Sequence, residues 1–186
     1  EKLIENKITA IAYETVAKDG GLPLLAPMSQ VAGVLACQYG AHYLQKKHGG
    51  IGVSLGHIDG ADHALTVIVG AGFVGRTAAV TAGGMGGDVV LLDISPQAIE
   101  RAEKEIHACL GPKLSRNVTA QVSSQKILEQ WVKKADLLIG AVLIPGAKAP
   151  QVVSEKMIHS MKHGAVIVDM AIDQGGCIWG SQPTSH

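Results

Sequence analysis

A glycine-rich turn between an apolar strand and a small-residue helix is the feature that most constrains the fold of this chain. The sequence GAGFVG, Gly70 to Gly75, follows the apolar run Thr66–Val69 and precedes a segment rich in alanine and glycine. In the G-x-G-x-x-G pattern, Gly70 allows a tight turn, Gly72 lets the backbone approach a pyrophosphate, and Gly75 lets the helix pack against the strand. In this setting the pattern predicts a strand–turn–helix unit that binds a dinucleotide.

Apolar strands alternate with amphipathic helices from Thr66 to the end of the chain. Such alternation is typical of parallel strands joined by right-handed crossovers. The sequence therefore predicts an α/β fold, a Rossmann-type doubly wound parallel sheet. Its expected strands are residues 66–69, 88–93, 118–122, 136–142 and 165–172. Ser95 and Pro96 predict the start of the helix after the second strand.

Upstream of this unit the pattern is different. Lys7–Val16 predicts a further strand, and a long helix is expected from Ser29 to about residue 48. Ala32, Ala36 and Gly40 recur every four residues, so they would form a smooth helix face for close packing.

Asp93 ends the second strand and lies 18 residues after Gly75. An acid at this point accepts hydrogen bonds from the ribose hydroxyls of adenosine and repels a 2′-phosphate. Residues 94–96 offer no arginine that would bind such a phosphate. The sequence therefore favours NAD over NADP as the cofactor.

Two acids follow the fifth apolar run, and they have different expected roles. Asp169 lies inside the predicted strand, where a carboxylate needs hydrogen-bond partners, so a structural role is favoured. Asp173 is expected at the carboxyl edge of the sheet, where ligands of open α/β sheets bind. For Asp173, a functional role in the site is favoured over that of a simple loop cap. Two roles are open for Lys148. It is expected either to face a substrate or cofactor phosphate, or to be a solvated loop lysine, and the second role is favoured.

Composition excludes several classes of protein. The 16 lysine and arginine residues balance 16 aspartate and glutamate residues, so no electrostatic attraction to nucleic acid or to an anionic membrane is expected. The apolar runs have the length of strands, and none would span a bilayer. Three widely spaced cysteines argue against a disulfide framework and for the cytoplasm. No histidine pair has a metal-ligand arrangement with cysteine or carboxylate, so no metal is expected.

These residues together resemble the alanine dehydrogenase family. The similar phrases are TAIAYETV, LPLLAPMSQVAG, GAGFVG with LLD, ADLLIGAVLIPGAKAP and VDMAIDQGGCIWGSQPTSH. They are distributed over essentially all 186 residues. Nicotinamide nucleotide transhydrogenase shares the fold of this family but resembles these phrases less closely.

The resemblance implies reversible oxidative deamination of L-alanine to pyruvate and ammonium with NAD. It implies cofactor contacts from fourteen positions: Ser29, Gly70, Gly72, Phe73, Val74, Gly75, Asp93, Ser123, Val142, Leu143, Met170, Ala171, Ile172 and Asp173. Ser29 is also a candidate helix N-cap. Asp173 is implied as the catalytic aspartate. The family also implies a homo-oligomer, namely a hexamer.

The same resemblance implies a division into domains. Residues 1–25 are expected to be the remnant of a substrate domain, and residues 26–186 the NAD-binding domain, with an interdomain helix over 29–48. The substrate-binding arginine and lysine and the catalytic histidine of the family would precede Glu1. Both ends are expected to be cuts through a longer protein, and the chain alone is expected to be inactive. Two alternatives remain: another amino-acid or hydroxy-acid dehydrogenase of the same architecture, and a non-catalytic NAD-binding module or transhydrogenase-like subunit.

Overall fold

A computed structural model describes residues 1–144 and 147–184 of the chain. Its centre is a parallel sheet of five strands: β1 (Leu65–Val69), β2 (Asp88–Asp93), β3 (Val118–Val122), β4 (Leu137–Gly140) and β5 (Val166–Asp169). The helices are α1 (Lys2–Glu5), α2 (Leu25–Tyr43), α3 (Phe73–Gly84), α4 (Pro96–Leu114), α5 (Gln125–Val132) and α6 (Glu155–His159). The predicted α/β fold and all five strands from Thr66 onward are confirmed, although β4 ends two residues and β5 three residues earlier than expected.

The strand order is β3-β2-β1-β4-β5, so the chain reverses its direction of winding between β1 and β4. At this point Val69 is paired with Gly140. In open α/β sheets, ligands bind outside the carboxyl ends of the strands where the order reverses. The topology therefore places the candidate site above the ends of β1 and β4.

Both faces of the sheet are covered, as a doubly wound fold requires. Ile68, Leu91 and Ile139 face the side of α2, α3 and α4, whereas Val67 and Leu138 face the side of α5 and α6. Successive residues of a strand point to opposite faces, so a strand buried on both faces is apolar throughout. This explains why β4 is an uninterrupted apolar run and why β1 is apolar except for the buried Thr66.

Helix α4 begins where Ser95 and Pro96 predict its start. The Ser95 side chain caps it, because its Oγ accepts a hydrogen bond from the backbone N–H of Ala98 at 3.2 Å. The helix continues to Leu114 with a kink at Gly111, where φ is 66° and ψ is 177°. Pro112 follows the kink and has no N–H to continue a regular helix.

Helix α2 packs closely against the sheet unit. A Cβ atom added at Gly33 would lie 2.6 Å from the Val74 carbonyl oxygen, and one at Gly40 would lie 2.4 Å from Leu137 Cδ2. Ala36 and Gly40 of the predicted smooth face are buried, so close packing of this face is confirmed for these two residues. The predicted start at Ser29 is wrong, because α2 begins at Leu25. Pro27 is compatible with a first helical turn and does not delay the start.

The strand predicted over Lys7–Val16 is also wrong. This segment contains only a short 3-10 helix, Tyr13–Thr15, and its side chains are exposed. A strand needs a neighbouring strand for its backbone hydrogen bonds. None of the described residues supplies such a partner here. The expected domain boundary near residue 25 stays a prediction.

Candidate dinucleotide-binding site

The glycine turn has the backbone geometry that its sequence predicts. Gly70 has a φ of 107°, in a region that side chains other than glycine rarely adopt. A Cβ atom at Gly75 would lie 1.8 Å from the Gly70 carbonyl oxygen, so only glycine lets α3 approach the turn. By contrast, a Cβ atom at Gly72 would meet nothing within 4 Å. Gly72 therefore faces open space at the amino end of α3, where free N–H groups attract anions.

Asp93 connects the end of β2 to this turn. Its Oδ2 accepts a hydrogen bond from the backbone N–H of Ala71 at 2.7 Å, and its Oδ1 accepts one from the backbone N–H of Ser95 at 2.8 Å. Each carboxylate oxygen still has a free lone pair after these bonds. The side chain is thus held in one orientation and can accept further hydrogen bonds from a ligand.

A cavity of about 620 Å³ opens beside the turn and Asp93. Nine of the fourteen predicted contact residues line it: Ser29, Gly70, Gly72, Phe73, Val74, Asp93, Ser123, Val142 and Leu143. Gly75 does not line it, because it packs directly against the Gly70 carbonyl behind the turn. Most of the lining is apolar with a few polar groups, as is usual for cofactor sites.

Ser29 reaches the cavity from inside α2. Its side chain is buried, and the helix begins four residues before it, so Ser29 is not the N-cap that was considered. Ser123 reaches the cavity from the end of β3. Its backbone N–H donates to the Asp93 carbonyl oxygen at 2.7 Å, which places it beside the end of β2.

Some lining residues were not predicted. Gly20, Gly21, Leu22 and Leu25 close one side of the cavity, although the sequence assigned residues 1–25 to another domain. Two arginines, Arg76 and Arg101, also line it. For Arg76, the sequence signal was its position directly after the third glycine. The first turn of α3 borders the glycine loop, so a residue there can line the cavity.

Arg76 is held tightly by its neighbours. Its Nε donates to Glu105 Oε2 at 2.6 Å, and its Nη1 donates to the Ala71 carbonyl oxygen at 3.0 Å. Its guanidinium carbon lies 4.8 Å from the centre of the Phe73 ring. Arg76 therefore braces the glycine turn, and most of its charge is compensated by Glu105.

Of the two acids near β5, Asp169 has the structural role that the sequence predicts. Its carboxylate accepts backbone hydrogen bonds from Ala171 at 3.0 Å, Cys177 at 2.9 Å and Ile178 at 3.0 Å. These bonds fold the segment after β5 back onto the end of the strand. The prediction that Asp169 binds backbone groups is confirmed.

Asp173 lies on the 3-10 helix Ile172–Gln174, and its side chain is exposed. The segment Met170–Asp173 is not among the residues that line the cavity. It follows β5, which pairs with β4, whereas Val142 and Leu143 follow β4 itself and do line the cavity. The nicotinamide and catalytic roles predicted for this segment stay predictions.

Cys177 is fully buried and close to the same carboxylate. Its Sγ lies 3.4 Å from Asp169 Oδ1. Burial, and after it the charge of Asp169, raise the pKa of the Cys177 thiol to about 12. A thiol that stays protonated is a poor nucleophile.

Lys148 does not line the cavity. Its side-chain carbons pass 3.8 Å from the position of a Cβ atom at Gly175, and the residue is exposed. Pro145, in the same loop, lies outside the described residues. Within residues 1–144 and 147–184, no group of three or more His, Cys, Asp or Glu side chains is arranged to hold a metal ion. No helix in these ranges is long and apolar enough to cross a membrane.

Residues 36–186 match the family model described as alanine dehydrogenase/PNT, C-terminal domain. Over its whole length the chain is similar to alanine dehydrogenase of Mycobacterium tuberculosis (strain ATCC 25618 / H37Rv), with 48% identity over 187 residues. It is 51% identical over 177 residues to alanine dehydrogenase of Methanococcus maripaludis, an alignment that covers 95% of the chain. The chain spans 48% and 45% of the length of these two relatives, respectively.

Solved structures of an L-alanine dehydrogenase and of a transhydrogenase are also similar to this chain. An L-alanine dehydrogenase superimposes with a TM-score of 0.86 at 42% identity, covering 100% of this chain and 50% of that one. A transhydrogenase from Sinorhizobium meliloti superimposes with a TM-score of 0.72 at 27% identity, covering 94% of this chain and 49% of that one. The likeness to the first structure is thus closer in both shape and sequence.

Proposed function

Because the chain belongs to the alanine dehydrogenase/PNT C-terminal domain family, we propose that its cavity binds NAD and NADH as part of an alanine dehydrogenase. The whole protein would interconvert L-alanine with pyruvate and ammonium. The observation that carries this proposal is the bond from Ala71 N–H to Asp93, which sets a ribose-binding acid beside an open glycine turn. The bound cofactor supplies the hydride acceptor at its nicotinamide ring.

The glycine turn and the start of α3 would bind the pyrophosphate. The Gly72 backbone is open to the cavity, and a Cβ atom there would meet no protein atom within 4 Å. The free N–H groups at the amino end of α3 carry a partial positive charge that attracts phosphate oxygens. Phe73 and Val74 begin this helix and line the cavity, so they supply these N–H groups.

Asp93 would select NAD over NADP. Its two oxygens are fixed by backbone donors and have free lone pairs for the ribose hydroxyls. A 2′-phosphate at the same place would bring negative charge against a fixed carboxylate, which is unfavourable. Ser123 and Ala98 line the same part of the cavity and would border the adenosine.

The nicotinamide would lie at the other end of the cavity, beside Val142 and Leu143. We place Met170, Ala171 and Ile172 next to it in the whole protein, with Asp173 orienting the substrate by hydrogen bonding and charge. Asp173 is exposed, so its carboxylate is free to meet a substrate that approaches from outside this chain. General-base catalysis would come from a histidine elsewhere in the whole protein.

Two features support a homo-oligomer in the cytoplasm. One face of α2 exposes the large side chains Met28, Val31, Leu35 and Tyr43. Contiguous apolar surface of this kind marks contact with another protein surface. The three cysteines are free, as is usual in a reducing compartment.

The test is a fluorescence titration of the purified chain with NADH and, separately, with NADPH. Trp131 and Trp179 are the energy donors. Saturable binding of NADH, with weaker binding of NADPH, is expected. Absence of binding by either nucleotide would contradict the proposal. In the whole protein, alanine-dependent formation of NADH then separates alanine dehydrogenase from a non-catalytic or transhydrogenase-like module.

A further inference from the structure

The cavity contains a second arginine, Arg101, whose charge has no partner among the residues that the structure describes. Arg101 lies on α4, one turn after Ala98, and both residues line the cavity together with Asp93 and Ile94. Residues three apart on a helix lie on the same face, so the second turn of α4 brings Arg101 back to the adenosine end. The expectation about a ligand for the 2′-phosphate rested on residues 94–96 and did not include Arg101.

Hydrogen bonds distinguish the two arginines. Arg76 is bound by Glu105 and by the Ala71 carbonyl oxygen. Arg101 makes no hydrogen bond, ion pair or ring contact within the described part of the chain, and its side chain is exposed. Its helical neighbour four residues on is Glu105, the acid that already binds Arg76 at 2.6 Å. Among the described residues, Arg101 is thus an unpaired cation at the cavity.

The charges around the adenosine end follow from this arrangement. Asp93 contributes one negative charge, and the pair of Arg76 and Glu105 is close to neutral. Arg101 then contributes one positive charge on the α4 side of Asp93. A guanidinium binds phosphate oxygens in a planar, often bidentate geometry. A 2′-phosphate placed between Asp93 and α4 would therefore be repelled by one residue and bound by the other.

We propose that Arg101 is a specificity-determining residue that binds the 2′-phosphate of NADPH, so that the preference set by Asp93 is partial. This inference rests on the proposed binding of NAD by the same cavity. In the wild-type chain NADH binds more tightly, and NADPH still binds measurably because Arg101 compensates part of the repulsion. The adenosine end therefore carries both the selecting acid and a latent phosphate ligand.

The test compares dissociation constants of NADH and NADPH in three single variants of the 186-residue chain. Arg101→Gln should weaken NADPH binding about tenfold or more and leave the dissociation constant of NADH within about twofold. Only NADPH has the 2′-phosphate whose charge-assisted hydrogen bond to Arg101 is lost. Arg101→Lys should retain much of the affinity for NADPH. Lys104→Gln is the matched control, because Lys104 is on the same helix, pairs with Glu100 and does not line the cavity.

The outcomes separate this inference from the proposed function. If Arg101→Gln weakens NADH and NADPH equally, Arg101 contacts the adenine or ribose and the inference fails, while NAD binding stands. It fails also if neither affinity changes, or if the wild-type chain binds NADH and no NADPH. If the wild-type chain binds neither nucleotide, both the inference and the proposed function fail.

Discussion

The carboxylate of Asp93 and the backbone N–H of Ala71 are joined by a hydrogen bond of 2.7 Å, although the two residues are 22 positions apart. This bond links the end of β2 to the middle of the glycine turn after β1. The acid that we propose to select the ribose is therefore also a structural part of the loop that would bind the pyrophosphate. Changes to either part should affect the other.

We expect Asp93→Asn to weaken NADH binding and to reduce the preference for NADH over NADPH. The amide keeps the size of the side chain but has one oxygen, so it cannot accept from both Ala71 and Ser95. Loss of one charge-assisted hydrogen bond to the ribose corresponds to roughly 1.5–3 kcal/mol, or at least tenfold in the dissociation constant of NADH. Titration with both nucleotides measures the change.

Asp88→Asn is the control for this substitution. Asp88 is at the opposite, amino end of β2, where it pairs with His63 at 3.0 Å, far from the cavity lining. The same loss of charge there should leave both dissociation constants unchanged. An equal effect of the two variants would show that Asp93 acts only through net charge.

The glycine turn should respond differently at its second and third glycines. Gly75→Ala would place a Cβ atom 1.8 Å from the Gly70 carbonyl oxygen, so α3 must move away from the turn and stability should fall by about 1–3 kcal/mol. Gly72→Ala meets no protein atom, so the chain should unfold as the wild type does while its NADH binding weakens. Urea unfolding and NADH titration of both variants measure these effects.

Gly84→Ala provides the matched control on α3. Its added Cβ would lie in ordinary contact, 3.6 Å from Leu110 Cδ2, and outside the cavity. Neither stability nor NADH affinity should fall. Wild-type affinity in Gly72→Ala would contradict the placement of a pyrophosphate at the turn.

Asp169 and Asp173 should separate structural and functional roles in one experiment. Asp169→Asn leaves at least one of three backbone N–H donors without its acceptor, so the free energy of unfolding should fall by roughly 2–4 kcal/mol. Asp173→Asn changes an exposed side chain and should alter stability by less than about 0.5 kcal/mol.

Turnover is the second readout for this pair. In the whole protein, Asp173→Asn should abolish alanine oxidation while NADH binding persists, because the proposed role of Asp173 is toward the substrate. Wild-type turnover in Asp173→Asn would reject that role. The stability measurement would stand independently of this result.

The buried Cys37 thiol should make stability fall at high pH. Burial raises the pKa of Cys37 to about 12, above the ordinary value near 9, so the unfolded state loses its proton first as the pH rises. The stability that this thiol contributes is fully present below about pH 9 and is lost progressively toward pH 12, by roughly 1.4 kcal/mol per unit. Urea unfolding at pH 7 and pH 10 measures the loss.

Substitution isolates this effect from other groups that titrate in the same range. Cys37→Ala should show a smaller loss between pH 7 and pH 10 than the wild type. Cys109→Ala, which changes an exposed thiol, should show the wild-type loss. Identical losses in all three proteins would mean that Cys37 does not contribute.

The local pattern of the sequence was sufficient for the central unit of the fold. The apolar runs identified β1 to β5 to within a few residues, because each strand of a doubly wound sheet is buried on both faces. Ser95 identified the start of α4, since its side chain can cap the helix within four residues of chain. The strand expected over Lys7–Val16 failed for the opposite reason: a strand is defined by its partner, and local pattern contains no information about the partner.

What the sequence determined by itself is thus the order of strands and helices, the glycine turn and the acid at the end of β2. Tertiary structure decided which distant side chains meet there. It bound Arg76 to Glu105, 29 residues away, whereas Arg101 at the cavity has no partner in the described part of the chain. It also carried Ser29 into the cavity from inside α2. Short-range hydrogen bonds and burial patterns are readable along the chain, whereas pairing between charges depends on how helices pack, which sequence spacing does not specify.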